Sequence, residues 1–478
     1  MMNKLVRTSG ILIPRSLENS ENYTIIKKRL TRRGQVYNKS PFVINKFYVE
    51  GPSFLKIPRF FPLYEIDNFI SIENKIPVGK DININHHVTL RDDLQKDMAR
   101  YMLTNNNGII QASPGSGKTV VAVYVVCERK KKTLILVHRE SLIFQWIGPG
   151  TPEKPQGFLA HSDISPDRIA RLSSSNFEED LKKDIIVATD QTFLSLLKRK
   201  REPFLKALNS SGIGIFIGDE VHTTIGAPTF SECSIHIPVE TTFGLSATPD
   251  RIDGNGDIIE FHLGPVYVPK GEASVMDARV TFILFNYGII EKSHQYVYWG
   301  GMFQRARYLN LLRKSEILLN ISKSLLEKFY KDGRDILYIS ERLNLIDLLF
   351  KWFPGPSKSK FTAGVKNEML DYQVVFTTPG KSRDGVDVPQ KDCLIISSPI
   401  SNIEQLSGRV VRISKNKEEP IIVHLIDIGC EDICRSMKSM LNYYDKKKWK
   451  VKFVVAFSNA TKKEITREEA LDLIFIKE

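Results

Sequence analysis

The stretch GIIQASPGSGKTVVAVYVV, Gly108 to Val126, sets two glycines, a lysine and a threonine between two apolar runs. Gly108 to Gln111 reads as the end of a strand, and Val120 to Val126 as the opening of a buried helix. Between them, Ala112 to Thr119 fits the phosphate-loop pattern of a small residue, four spacers and Gly-Lys-Thr. In the turn formed by Pro114, Gly115, Ser116 and Gly117, the glycines let backbone amides curl toward phosphate oxygens. The helix N-terminus that follows adds its positive dipole end. Lys118 then reaches the β- and γ-phosphates, and the Thr119 hydroxyl ligates Mg²⁺. The alternative is a glycine-rich turn matching by chance; the strand before it and the helix after it favour the nucleotide.

Outward from this loop, residues 86–270 alternate strand-like runs with helical patterns, the signature of a parallel α/β sheet. The runs TLILVH, DIIVAT, IGIFIGDE and TTFGLSAT each end in polar residues. Open α/β sheets bind ligands at that end of their strands. Leu263 to Val280 breaks the rhythm and reads as a link. A second α/β pattern follows over 271–440, with strands DILYIS, YQVVFTT, DCLIISS and PIIVHLID, and 441–478 reads as a basic extension. Residues 1–85 carry short β-branched and aromatic runs broken by Pro and Gly, as in a small basic β-rich or α+β domain.

The chain has 478 residues, too many for one ordinary core. No apolar run approaches the ~20 residues of a membrane helix, and no secretion signal is evident, so a cytoplasmic protein is expected. The five cysteines are scattered, as in a reducing compartment. Cys430 and Cys434 could share a helix face and bind metal, against the simpler reading of buried thiols. The net charge of +13 calls for a polyanion partner. Residues 1–50 hold ten Lys/Arg against three Asp/Glu, interleaved with Tyr37, Phe42, Phe47 and Tyr48. That is the composition of a nucleic-acid surface, or of a solvated basic face. DKKKWKVKF, Asp445 to Phe453, invites the same pair of readings.

Asp219 and Glu220 close the strand run GIFIGDEVH. Two adjacent carboxylates there are costly to bury without a cation or a catalytic role. With the phosphate loop about a hundred residues earlier, Asp219 is placed to hold Mg²⁺ and Glu220 to polarise an attacking water; helix capping is the alternative. Downstream, QLSGRVVR puts Arg409 and Arg412 three apart on one helix face. Arginines suit a γ-phosphate because they stay charged and bind oxygens as a planar fork. Delivered across a cleft between the two α/β domains, they would let ATP close the pair and hydrolysis reopen it, the cycle of a motor.

Over residues 88–430 these motifs, in this order, resemble the superfamily 2 helicases. RDDLQ is similar to the adenine-reading segment, ASPGSGKT to motif I and LVHRESLIFQW to motif Ia. VATDQT resembles the strand-contacting motif, and GDEVH, LSATPDRIDG, ILYISER, TTPGKSRDGVDVP and QLSGRVVR resemble motifs II to VI. The resemblance implies two tandem RecA-like domains. It implies that Gln95 binds adenine, that His222, Ser246 and Thr248 couple the nucleotide to the bound strand, and that Gln405 lies at the interdomain cleft. Gly385 and Asp387 would line the ATP cleft, Arg409 and Arg412 would be arginine fingers, and Arg139, Thr189 and Thr378 would touch nucleic acid.

DEVH and SATPDRIDG look like the XPB-like group and its phage relative UvsW, double-strand DNA translocases and branch-remodelling helicases. SFLKIPRFFPLYEI is similar to the small domain before the motor in phage members. Departures are Leu94 where an aromatic is usual, Asp384 in place of Glu, and Arg251-Ile252-Asp253 in place of Arg-Glu-Asp. They favour the broader phage or viral branch. The expectation is an ATP- and Mg²⁺-dependent DNA helicase or translocase. An RNA helicase or viral transcript-release factor, an inactive nucleic-acid clamp, and the motor subunit of a restriction or repair assembly stand as alternatives.

Overall fold

The computed structural model describes residues 4–34, 43–66, 71–113, 115–151, 154–221, 228–247, 255–271, 276–362, 367–380, 390–398, 400, 403–411, 417–457 and 462–475. The chain divides into two compact units, Met1–Ala273 and Ser274–Glu478.

The first unit begins with a five-stranded sheet in the order Val49–Glu50, Phe54–Ile57, Ile11–Pro14, Lys4–Arg7, Ser71–Asn74, with helix Glu21–Arg29 beside it. Its core is built from Leu5, Ile11, Ile13, Tyr23, Ile26, Phe47, Leu55 and Ile57. Ile258 and Phe261, from helix Gly256–Leu263 of the following α/β layer, complete the same core. Much of the basic run is spent locally. Lys27 pairs with Glu50, Arg29 with Glu65, and Arg32 with Asp257, while Phe47 is buried. Tyr37 and Phe42 lie outside the described residues.

A seven-stranded, wholly parallel sheet follows, in the order Ile169–Arg171, Ile185–Thr189, Thr133–Val137, Ile215–Asp219, Thr241–Ser246, Asn107–Gln111, Val266–Tyr267. Its middle strands are buried throughout, which is why they read as unbroken apolar runs rather than alternating ones. The order sets the site. Gln111 pairs with Ser246, and the next strand over pairs Leu245 with Asp219. The phosphate loop, Ser246 and Asp219 therefore emerge side by side.

The second unit is an eight-stranded sheet ordered Lys358–Phe361, Val374–Thr377, Ile336–Ile339, Cys393–Ile396, Ile421–Asp427, Arg279–Phe285, Lys450–Ala456, Lys462–Ile465. All neighbours are parallel except the last pair. Both units are thus of the parallel, RecA-like class expected. The segment read as a basic extension supplies two of these strands. Lys450–Ala456 pairs along almost the whole of Arg279–Phe285, and Trp449 and Phe453 are buried in the unit's core. Of the basic cluster, Lys446 ends helix Glu431–Lys446, Lys447 and Lys448 form the turn, and only Lys450 and Lys452 stand on the strand, where Lys452 pairs with Glu464. Cys430 and Cys434 are buried in that core as well.

Candidate nucleotide site

Helix Lys118–Arg129 starts directly after Gly117, whose φ of +85° matches that of Gly115. Both are left-handed conformations that only glycine adopts without strain. The first-turn amides of this helix have no partner within it and face the loop. Lys118 folds back over the loop, its Nζ donating to the carbonyls of Ala112 at 2.6 Å and Ser113 at 3.2 Å.

Gln95 lies buried against the loop. Its side-chain amide donates to the Ser116 carbonyl at 3.0 Å, and its oxygen accepts the Arg91 N–H at 2.9 Å. Asp92 accepts the Gln95 N–H and so caps helix Asp93–Thr104, fixing the side chain's origin. A methyl on Gly117 would stand 2.2 Å from Gln95 Nε2, so the second glycine is required by this close approach as well as by its φ.

Asp219 ends strand Ile215–Asp219 with 6% of its surface exposed. The Trp146 indole donates to its Oδ2 at 2.8 Å, and the Glu220 amide donates to its Oδ1 at 3.0 Å. Burial, and then the neighbouring Glu220, push the Asp219 carboxyl up to about 6; the Trp146 hydrogen bond and the Lys118 charge oppose them. Glu220 has φ +48°, a strained backbone for a residue with a side chain. Helix Glu140–Ile147 covers this corner with two consecutive residues. Trp146 holds Asp219, and Gln145 Nε2 reaches toward the Thr119 hydroxyl at 3.5 Å. Neither residue stood out in the sequence, where an aromatic on a helix reads as core.

The residues fit a bound nucleotide and cation. Two left-handed glycines open the loop, and Ser116 Oγ is buried without a hydrogen-bond partner among the described residues. Asp219 is a carboxylate whose charge is disfavoured as it stands, a cost that a cation would offset.

A model of the family described as Type III restriction enzyme, res subunit, matches residues 84–251. A protein of Acanthamoeba polyphaga mimivirus named as an ATP-dependent RNA helicase is 23% identical over 93% of this chain and 90% of its own length. The XPB helicase/translocase subunit of general transcription and DNA repair factor IIH from Schizosaccharomyces pombe is 25% identical over 66% of this chain. Only 40% of that relative is spanned. These similarities support a superfamily 2 helicase of the XPB-like type. Among solved structures, the DNA-bound Type ISP restriction-modification enzyme LlaBIII shares the fold with a TM-score of 0.52 at 15% identity. The match covers 81% of this chain and 32% of that one.

As a helicase-type ATPase, the protein has further positions to account for. Ser246 is buried, and its carbonyl accepts the Ala112 N–H at 3.0 Å, tying motif III to the base of the phosphate loop. Thr189 caps helix Asp190–Arg199, its hydroxyl accepting the Thr192 N–H at 3.1 Å and bonding the Thr192 hydroxyl at 2.9 Å. Arg139 is exposed at the start of helix Glu140–Ile147, two residues beyond a strand whose Val137 pairs with Thr189. In the second unit, Arg409 is buried on helix Ile403–Val410, which also carries Gln405 in its backbone, and Thr378 follows strand Val374–Thr377. Pro114, His222, Thr248, Gly385, Asp387 and Arg412 lie outside the described residues. Among the described residues, no helix is long and apolar enough to cross a membrane.

Proposed function

We propose that this helicase is an ATP-driven DNA translocase that remodels duplex or branched DNA. The observation that carries the reading is the corner where Lys118, Thr119, Asp219 and Glu220 meet under Gln145 and Trp146. Lys118 would exchange its loop carbonyls for the β- and γ-phosphates of ATP, and Thr119 with Asp219 would hold Mg²⁺. The cation supplies neutralisation of the phosphate charge. Glu220 accepts a proton from the attacking water at its carboxylate. Arg409 and Arg412 act as arginine fingers, and Gln405, Gly385 and Asp387 complete the nucleotide cleft. His222, Ser246 and Thr248 carry the nucleotide state to the strand, which Arg139, Thr189 and Thr378 hold through its phosphates. Gln95 selects adenine and, through Ser116, sets the loop.

The DNA reading is supported by the XPB relative, whose name includes DNA repair and translocase. An RNA helicase is the second reading, favoured by the mimivirus relative that spans almost the whole chain. ATP hydrolysis by the purified protein, measured with no nucleic acid and with single-stranded, duplex and branched DNA and structured RNA, separates the two. Stimulation by duplex or branched DNA that is lost in Lys118→Ala is the expected result. Stimulation by RNA alone moves the second reading ahead, and binding without turnover on any substrate means an inactive clamp.

A further inference from the structure

The stretch YVYWGGMFQRAR, Tyr296 to Arg307, falls outside every motif of the family resemblance. It folds into a two-residue hairpin in which Tyr298 pairs with Phe303 and Trp299 with Met302. Gly300 and Gly301 have φ of +59° and +74°, both positive as the tight type I′ turn requires. Period-two alternation then sorts the side chains. Tyr298 and Phe303 face inward: their rings lie 5.6 Å apart, Phe303 packs on Tyr308, and the Tyr298 hydroxyl donates to Asp432 at 2.6 Å.

The outward pair, Trp299 and Met302, is left 67% and 68% exposed. The Arg307 guanidinium lies 5.0 Å from the Trp299 ring and 5.3 Å from that of the exposed Tyr296, which spreads a cation between two π faces. Tyr296 also lines an open groove of about 470 Å³ whose charged residues are Arg313, Lys314, Arg342 and one acid, Glu341. The helix that follows the hairpin, Arg305–Leu312, is tied to that groove. Arg342 donates to the Ala306 carbonyl at 2.6 Å, and Arg305 pairs with Glu341. The groove lies beyond the carboxyl end of strand Ile336–Ile339, where parallel sheets take their ligands.

An exposed indole beside a guanidinium, leading into a basic groove, matches an unpaired nucleotide: the ring takes the base and the groove takes the phosphates. We propose that the Trp299 hairpin is a base-stacking platform for single-stranded DNA, with the backbone of the same strand running along the groove of Arg313, Lys314 and Arg342. The proposal rests on the reading of the chain as a DNA motor and adds a contact to bases where that reading has only phosphates.

The test uses the full-length protein and single-stranded DNA oligomers with and without abasic sites, followed by tryptophan fluorescence and equilibrium binding. Stacking on Trp299, the most exposed of the described tryptophans, quenches fluorescence, and the quench disappears in Trp299→Ala. Trp299→Ala weakens binding by roughly 5- to 100-fold, whereas Trp299→Phe keeps most of the affinity. Abasic sites weaken the wild type and leave Trp299→Ala unaffected. Lys314→Glu instead lowers the salt dependence of binding by about one or two charges. Wild-type affinity in Trp299→Ala, with DNA-stimulated hydrolysis intact, overturns the platform and leaves the motor standing. Binding of RNA oligomers alone also overturns it. No nucleic-acid binding or stimulation in the wild type brings down the motor reading itself.

Discussion

The indole N–H of Trp146 donates to Asp219 Oδ2 at 2.8 Å, across 73 residues of chain and in a fully buried setting. Trp146→Phe keeps an aromatic ring, though a smaller one, and removes the donor, so the carboxylate loses one of the two hydrogen bonds described for it. A hydrogen bond to a charged group contributes about 1.5–3 kcal/mol. We expect stability to fall by at least that amount, since the smaller ring also leaves a cavity, and the Asp219 carboxyl to rise further. The acid limb of the ATPase pH profile then moves to higher pH, which a pH series of kcat/KM on both proteins measures.

Asp219 itself has a stability signature. Its folded-state carboxyl is raised to about 6, so the folded protein keeps that proton longer than the unfolded chain does. The resulting cost is absent below pH ~4, grows as pH rises and is complete above pH ~6. Asp219→Asn cannot ionise. In nucleotide-free denaturation, its stability relative to wild type should climb between pH 4 and 7 by on the order of 2 kcal/mol. A flat difference across that range contradicts the assignment.

Gly117→Ala meets two obstacles, a φ of +85° and a contact at 2.2 Å with Gln95 Nε2. Shortening Gln95 to Ala relieves only the second. The double variant should therefore recover part of the loss, with a coupling of at least ~0.5 kcal/mol in thermal or denaturant unfolding. Strict additivity means that the two side chains do not share the space.

Lys118→Ala should lower ATP turnover by at least ~100-fold, the size of effect seen when a positioned charge-stabilising donor is removed. Unfolding of the nucleotide-free protein should change by only about 1 kcal/mol, because the lysine there holds two loop carbonyls.

Arg409→Ala tests the second unit. An arginine finger acts on the transition state, so nucleotide affinity should hold while turnover drops roughly 1000-fold. Equal losses in affinity and turnover make Arg409, which is buried on its helix, a structural residue instead.

Much of the fold was legible because parallel strands buried on both faces write themselves as apolar runs. TLILVH, DIIVAT, IGIFIGDE and TTFGLSAT, and the four runs of the second unit, all became strands. Lys450–Ala456 was harder, because the lysines of the run Asp445–Phe453 drew the reading to charge while Val451, Phe453 and Val455 carry the strand's alternation. In the site, the loop and its acids were legible because their spacing is dictated by phosphate geometry. Trp146 and Gln145 were not, since a contact across many residues leaves no local pattern. Phe47 read as a nucleic-acid aromatic and is core, because interleaving of bases and rings looks alike in both settings.

Two residues after strand Phe54–Ile57 of the small N-terminal sheet stands an arginine with an unusual address. Arg59 is wholly buried and donates to the carbonyls of Ile237 at 2.7 Å, Val239 at 2.8 Å and Ser234 at 3.5 Å. These carbonyls belong to the last turn of helix Pro228–Ile235 and to the link from it to the strand that finishes at Ser246. A polypeptide starting after residue 85 would expose three bare acceptors together with Ile258 and Phe261. Truncation here is therefore amputation and not disassembly. What a shortened protein fails to do measures the wound as much as the missing part, and the role of the basic sheet is better sought by reversing single charges on its surface.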